Sequence, residues 1–94
     1  MKYTNTSGET FDYNGALLNG SIPNGKGTAI YTNGDKYIGD FQNGLRNGTG
    51  IYYWSDGEKF EGEYKDNLRN GFGKYYSADG SLIEQGNYIN GELK

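Results

Sequence analysis

Two groups of residues in this chain have a type and spacing that could do chemistry: a carboxylate pair and three glycine triplets. Glu61 and Glu63 are separated by one residue, and paired carboxylates perform acid–base work in glycoside hydrolysis. On a strand, however, residues i and i+2 share one face, which makes a charged, solvated edge the simpler interpretation. The triplets at 25–27, 48–50 and 71–73 offer backbone N–H groups to a phosphate. Phosphate-binding motifs need a helix after such a loop, and here a strand is expected, so we interpret the triplets as sheet-packing positions.

Composition removes most other catalytic and metal-binding chemistry. The chain has no cysteine and no histidine, so the common zinc and haem ligand sets are missing, as are the usual partners of nucleophilic catalysis. Four acidic turn residues offer oxygen ligands for calcium, but their spacing lacks the density of an EF-hand loop, and turn formation explains them. These residues are Asp35, Asp56, Glu58 and Asp79. We therefore expect a non-enzymatic protein without a metal or cofactor.

The strongest candidate binding surface is an aromatic stripe, Tyr31, Tyr52, Trp54 and Tyr75, flanked by charged side chains. The candidate binding residues are Tyr31, Tyr52, Trp54, Tyr75, Lys36, Lys59, Glu61 and Glu63. Tyrosine and tryptophan are common both in stacked sheet faces and at binding interfaces. Structural stacking and partner binding therefore explain the stripe equally well.

The elements that must position these residues are short strands joined by glycine turns. Asn-Gly and Asp-Gly recur along the chain, and segments of six to eight residues rich in Tyr, Phe and Ile lie between them, which is typical of β-hairpins. Glycines and aromatics repeat at an offset of 23 residues. We predict an all-β fold, an elongated single-layer antiparallel meander of stacked hairpins. The predicted strands are 2–6, 11–18, 26–32, 36–43, 49–55, 58–66, 72–78 and 81–89.

Turn geometry predicts which residues face each other. If the loops at Asn33-Gly34, Asp56-Gly57 and Asp79-Gly80 have two residues, the facing pairs are Ile30–Tyr37, Tyr53–Phe60 and Tyr76–Ile83. The next rungs place Tyr31 opposite Lys36 and Trp54 opposite Lys59, with lysine over ring. The first face then carries Tyr37, Phe41, Tyr53, Phe60, Tyr64 and Tyr76, above glycines such as Gly39 and Gly62. The aromatic stripe and the flanking charges are predicted to lie together on the opposite face.

The segments YIGDFQNGLRNGTGIYYWSDG (37–57) and FEGEYKDNLRNGFGKYYSADG (60–80) resemble the MORN repeat, whose pattern is Tyr-x-Gly-x-aromatic, a glycine turn, Gly-x-Gly and a closing glycine. The chain departs from it at Asn24, Asn47 and Asn70, where the family often has histidine, and at Asn67, which replaces the turn glycine. We expect a single domain over 1–94: a partial repeat 1–10, repeats 11–36, 37–59 and 60–82, and a partial repeat 83–94. The resemblance implies a single-layer hairpin sheet that serves as a binding platform. The last unit is similar to a bacterial variant, which implies a bacterial or phage source.

We therefore expect a protein–protein interaction module that self-associates, as a homodimer, or docks and blocks a partner protein through an aromatic sheet face. The alternatives are binding of anionic phospholipid headgroups, which the resemblance implies, and binding of carbohydrate or cell-wall ligands by the aromatic stripe. A net charge of −3 disfavours nucleic acid and makes a membrane lipid the weaker expectation. It also predicts steering toward a basic partner. The N-terminus has no basic run followed by an apolar stretch, so we expect a cytoplasmic protein.

Overall fold

A computed structural model describes residues 1–93, which form one open antiparallel sheet of nine strands in sequence order. The strands are β1 (Lys2–Thr4), β2 (Thr10–Leu18), β3 (Ile22–Tyr31), β4 (Lys36–Gln42), β5 (Leu45–Tyr53), β6 (Lys59–Lys65), β7 (Leu68–Tyr76), β8 (Leu82–Ile89) and β9 (Glu92–Leu93). The predicted all-β, single-layer meander is confirmed. The predicted strand count was one too low, because the short β9 closes a last hairpin.

The ribbon is longer than it is wide, but it curls. Its principal extents are 38 × 24 × 20 Å, and the long axis agrees with the roughly 38 Å expected for the eight gaps between nine strands spaced about 4.8 Å apart. The radius of gyration is 12.9 Å, which is close to the value of about 13 Å for a compact globule of this length. A flat ribbon would have a larger radius of gyration than a globule. The twist between neighbouring strands curls this ribbon, so its radius of gyration is that of a globule.

The predicted register was wrong by one residue because the turns on one edge are longer than assumed. In the β3–β4 turn, Gly34 N–H donates to Tyr31 O and Tyr31 N–H donates to Asp35 O. This is a three-residue loop closed by Gly34 at φ 94°, the turn that forms a glycine bulge. The same bonds recur in the β5–β6 and β7–β8 turns.

One extra loop residue exchanges the faces of every following side chain. The observed partners of Lys36 are Ile30 and Tyr53, and those of Lys59 are Tyr53 and Tyr76. None of the three predicted facing pairs forms: Ile30, Tyr53 and Tyr76 lie across from Lys36, Lys59 and Leu82 instead of Tyr37, Phe60 and Ile83. Tyr53 and Tyr76 therefore leave the face on which we expected them.

The core consists of aromatic rings that lie over a row of glycines on what we call the inner face. Seven glycines follow one another across the sheet in register: Gly15, Gly27, Gly39, Gly50, Gly62, Gly73 and Gly86. A Cβ at Gly50 would lie within 3.0 Å of the Tyr37 ring, and one at Gly73 would meet the Phe60 ring in the same way. Because glycine has no side chain, each ring can lie flat across the neighbouring strands. Tyr37 and Phe60 are consequently 0% exposed.

The asparagines that depart from the family pattern connect successive hairpins on the other edge of the sheet. Asn24 Oδ1 accepts a hydrogen bond from Asn43 N–H (3.1 Å), and Asn47 Oδ1 accepts one from Asp66 N–H (3.1 Å). Their donors sit at positive φ, 52° and 48° respectively. Asparagine and aspartate tolerate this left-handed conformation, and each of these asparagine side chains links its repeat to the next.

Because the sheet curls, the β1–β2 turn lies across the inner face. Asn5 Nδ2 donates to Gly44 O, 39 residues away (3.3 Å), and Asn67 Nδ2 donates to Glu9 Oε1, 58 residues away (2.9 Å). The Tyr3 ring lies against Gly44. The N-terminal hairpin thus covers the first half of the inner face, which no sequence-local argument predicts.

Candidate functional site

The four rings of the aromatic stripe form one continuous row, but on the inner face. Tyr31 stacks on Tyr52 with ring centroids 5.8 Å apart, Tyr52 lies 4.9 Å from Trp54, and Trp54 stacks on Tyr75 at 5.2 Å. Tyr31 is buried, whereas the other three are half-buried and pack against the core. The expectation that the stripe lies opposite Tyr37 and Phe60 was wrong, because the register change moves it to their face.

The charged residues expected beside the stripe lie on the opposite side of the sheet, which we call the outer face. Lys36 Nζ is 5.0 Å from the centroid of the Tyr53 ring, and Lys59 Nζ is 5.0 Å from that of Tyr76. The predicted lysine-over-ring contacts therefore form with Tyr53 and Tyr76 in place of Tyr31 and Trp54. Lys59 also pairs with Glu61 (3.1 Å).

Glu63 is also on the outer face, where its carboxylate accepts a bond from the Phe72 N–H (3.3 Å). The sheet thus separates the eight candidate residues into two groups of four, and its thickness excludes a site built from all of them. Glu61 and Glu63 are on the side of the sheet opposite the stripe, whereas the turn carboxylates Asp35 and Glu58 contact it. Steering toward a basic partner stays a prediction. Whether either group binds a partner stays a prediction.

Turn carboxylates fix two rings of the stripe. Asp35 is 5% exposed and accepts bonds from the Tyr52 hydroxyl (2.7 Å) and from Ser55 N–H (2.8 Å). Glu58 accepts a bond from the Tyr75 hydroxyl. Burial, and then the bond to Asp35, raise the pKa of Tyr52, and the bond to Glu58 raises the pKa of Tyr75 to about 12. Both hydroxyls are therefore neutral and already bonded within the chain.

A buried arginine that the sequence reasoning missed lies at the centre of the inner face. Arg46 is 8% exposed, and its guanidinium carbon lies 5.0 to 6.0 Å from the centroids of four tyrosine rings. Its Nη1 donates to the Tyr31 hydroxyl (2.7 Å) and lies 3.5 Å from Glu9 Oε1. Burial works against its charge, but the neighbouring Tyr31 and Glu9 outweigh burial and raise the pKa of Arg46. The aromatic core is thus built around a paired cation.

Arg69 occupies the same position one repeat later. Its guanidinium lies 5.3 Å from the Phe60 ring and 5.0 Å from the Tyr88 ring, and its Nη2 donates to Gly91 O (3.2 Å). The matching bond of Arg46 goes to Asn67 O (3.2 Å). Unlike Arg46, Arg69 is only half-buried. The signal that could have found both arginines is the repeated tetrapeptide LRNG at 45–48 and 68–71.

Between the two arginines lies an open groove of about 360 Å³, which we call the Trp54 groove. It is lined by Arg46, Tyr52, Trp54, Tyr64, Asn67, Leu68, Arg69 and Gly91. A second hollow of about 370 Å³ adjoins it at Tyr52, beside Glu9 and Asn33. The Trp54 groove combines flat apolar rings with two guanidinium groups, and none of its described lining residues carries a carboxylate. It can therefore take an apolar group together with an anionic one.

The acidic turn residues form the carboxylate-to-backbone hydrogen bonds that are typical of turns. Asp56 accepts a bond from Glu58 N–H (3.0 Å), and Asp79 accepts one from Ser81 N–H (2.9 Å). Within residues 1–93 there is no group of three acidic side chains close enough to hold a metal ion.

The family model described as MORN repeat fits residues 19–36, 37–59 and 60–82. A comparison with curated proteins found no match. The part of the chain that the structure describes contains no helix of the length and hydrophobicity needed to cross a bilayer.

Proposed function

Because the chain belongs to the MORN-repeat family, we propose that it is a non-catalytic interaction module that docks a partner protein in the Trp54 groove. MORN repeats are generally associated with protein or membrane-lipid interaction. The proposal selects the protein partner and places it on the inner face. The expected cytoplasmic location and the bacterial or phage source stay predictions.

The observation that carries the proposal is that the row of rings is covered over its first half and open over its second. The N-terminal hairpin packs over Tyr31, which is 7% exposed, whereas Tyr52 and Trp54 stay half-buried at the groove. Tyrosine and tryptophan at the centre of a protein interface contribute large, rigid contact areas at a small loss of conformational entropy. A single-layer sheet has no further layer to bury them, so a partner segment gains this area.

A protein partner fits the groove better than the two alternatives. A membrane rich in anionic lipid is the weaker candidate because the chain carries a net charge of −3, which an anionic surface repels. A sugar needs several hydrogen-bonding groups beside its stacking ring, but the Tyr52 hydroxyl and the Asn67 side chain are already bonded. The charged donors among the described lining residues belong to arginine, which suits an anionic group better than a neutral hydroxyl. A protein segment offers both an apolar side chain, which can pack on Leu68 and Trp54, and polar groups, which can bond to Arg69.

The test is a selection of displayed random peptides against the wild-type chain, followed by affinity measurements on two variants. Trp54→Ala removes the central ring of the groove, and Phe72→Ala removes an exposed ring of the outer face, which is 46% exposed. We expect selected peptides to lose at least about tenfold in affinity with Trp54→Ala, as for a modest interface hot spot. Phe72→Ala should leave binding unchanged. Because Trp54 is the one tryptophan of the chain, its fluorescence reports groove occupancy directly.

Three outcomes would contradict the proposal. Peptides that bind equally well to both variants would place the docking surface elsewhere. Sedimentation with anionic phospholipid vesicles in the absence of any Trp54-dependent peptide would favour the lipid function. Quenching of Trp54 by cell-wall fragments alone would favour the carbohydrate function. A dimer in sedimentation velocity that Trp54→Ala dissociates would identify a second copy as the docked protein.

A further inference from the structure

The two arginine positions of the inner face are equivalent by repeat but differ in what completes them. In the first, Arg46 donates to the Tyr31 hydroxyl and pairs with Glu9. Glu9 ends the β1–β2 turn, and it also accepts bonds from Asn5 (2.9 Å) and Asn67 (2.9 Å). The carboxylate of a turn residue therefore completes the ion pairing of the arginine at the first position.

At the second position both polar partners are missing. The residue equivalent to Tyr31 is Trp54, since each begins a turn of the same hydrogen-bond pattern, and tryptophan has no hydroxyl. The residue equivalent to Glu9 is Asp35, which ends the next turn but is held by Tyr52 and Ser55. Among the described residues, no carboxylate lies within ion-pairing distance of Arg69.

Within residues 1–93, Arg69 therefore makes one side-chain hydrogen bond and presents the rest of its guanidinium to the Trp54 groove. Guanidinium has five N–H donors in a planar fork, and the described residues accept one bond from Arg69, at Gly91 O. The apolar ring of Trp54 and the exposed Leu68 lie along the same groove. A group that completes this position must accept hydrogen bonds, carry negative charge and have an apolar neighbour.

From this internal comparison we propose that the groove recognises a protein segment with an aspartate or glutamate next to an apolar side chain. The carboxylate binds Arg69 as Glu9 binds Arg46, and the apolar side chain packs on Trp54. This inference rests on the proposed docking function and adds the chemistry of the partner. The partner segment proposed here is acidic, whereas the net charge of −3 predicts steering toward a basic partner. The difference arises because the groove itself is cationic.

The experiment uses the peptides selected against the wild-type chain. We expect enrichment of Asp or Glu at one position beside an apolar residue. Replacing that acidic residue by its amide in a synthetic peptide should weaken binding by about 10-fold to 100-fold, the loss typical of a hydrogen bond to a charged group. Because this change is made in the ligand, it does not depend on the folding of a protein variant.

The matching protein variant is Arg69→Gln, with Lys74→Gln as control. Lys74 is on the same strand but faces outward, opposite Glu61, so its loss changes the net charge equally without touching the groove. We expect Arg69→Gln to lower the affinity for the acidic peptide by the same factor as the acid-to-amide change in the peptide. When the two changes are combined, the affinity should fall no further. Lys74→Gln should leave affinity nearly unchanged.

The outcomes separate this inference from the proposed function. Trp54-dependent peptides without acidic enrichment, or with affinity unchanged in Arg69→Gln, would overturn the acidic partner and leave the docking function standing. Absence of any Trp54-dependent peptide would overturn both. Binding of anionic vesicles that Arg69→Gln abolishes, without peptide binding, would assign the position to a phosphate headgroup and overturn the inference.

Discussion

Replacing Gly50 by alanine tests whether the glycine row shapes the core. A Cβ at this position would lie within 3.0 Å of the Tyr37 ring. Tyr37 is 0% exposed, its hydroxyl donates to Asp40 O (3.0 Å), and its ring contacts Phe41 and Tyr64 edge-on. To restore an ordinary van der Waals contact the ring must shift by about 1 Å, and overpacking of this kind costs about 1–3 kcal/mol.

The expected total destabilisation is larger than overpacking alone. The shift also breaks the bond to Asp40 O, which is worth about 1 kcal/mol. Alanine lowers the entropy of the unfolded chain, which offsets about 0.5 kcal/mol. We therefore expect Gly50→Ala to lower the free energy of unfolding by about 2.5 kcal/mol. For a domain of this size the melting temperature should fall by about 10–20 °C.

The assay is urea unfolding followed by Trp54 fluorescence, with Gly80→Ala as the matched control. Gly80 has φ 90° and no atom within 4 Å of an added Cβ, so its substitution costs only the left-handed backbone strain, about 1 kcal/mol, less the same entropy offset of about 0.5 kcal/mol. The two variants should thus differ by about 2 kcal/mol at unchanged slope. If their midpoints coincide, the rings do not depend on the glycine row, and our account of the core is refuted.

Three further predictions concern tyrosine hydroxyls of the inner face and an asparagine that links two repeats. Burial raises the pKa values of Tyr37 and Tyr64, so their contribution to stability is complete below about pH 10 and is lost as the pH rises toward the raised folded values. In that window, the titration of each tyrosine should lower the free energy of unfolding by about 1.4 kcal/mol per pH unit. Urea midpoints that stay constant at alkaline pH while tyrosinate absorbance appears would contradict this. Tyr52→Phe removes a donor from the buried Asp35 and should cost about 1–2 kcal/mol; equal loss in the outer-face control Tyr53→Phe would count against that role. Asn47→Ala should cost about 1 kcal/mol by removing the acceptor of Asp66 N–H, and an unchanged melting temperature would show that the link between repeats adds no stability.

The repeat, the strands and the row of rings could be predicted because they depend on local sequence. Asn-Gly and Asp-Gly dipeptides mark turns through positive φ, and aromatics recurring with glycine at a fixed offset mark a repeated hairpin. The Gly39 and Gly62 positions were correctly expected to make room for flat rings. The arginines were within reach of the same reasoning, since Arg46 and Arg69 stand at one repeated position.

The sequence by itself therefore determined that this chain is a single-layer ribbon of hairpins with aromatic rings laid over glycine. Only the tertiary structure decided which face the rings occupy, because a glycine turn such as 32–34 closes a loop of either two or three residues and one residue exchanges the faces. The structure also decided that Glu9 meets Arg46, while Arg69 stays open to the groove. That contact depends on twist accumulated over several strands, a geometric quantity that no local pattern encodes.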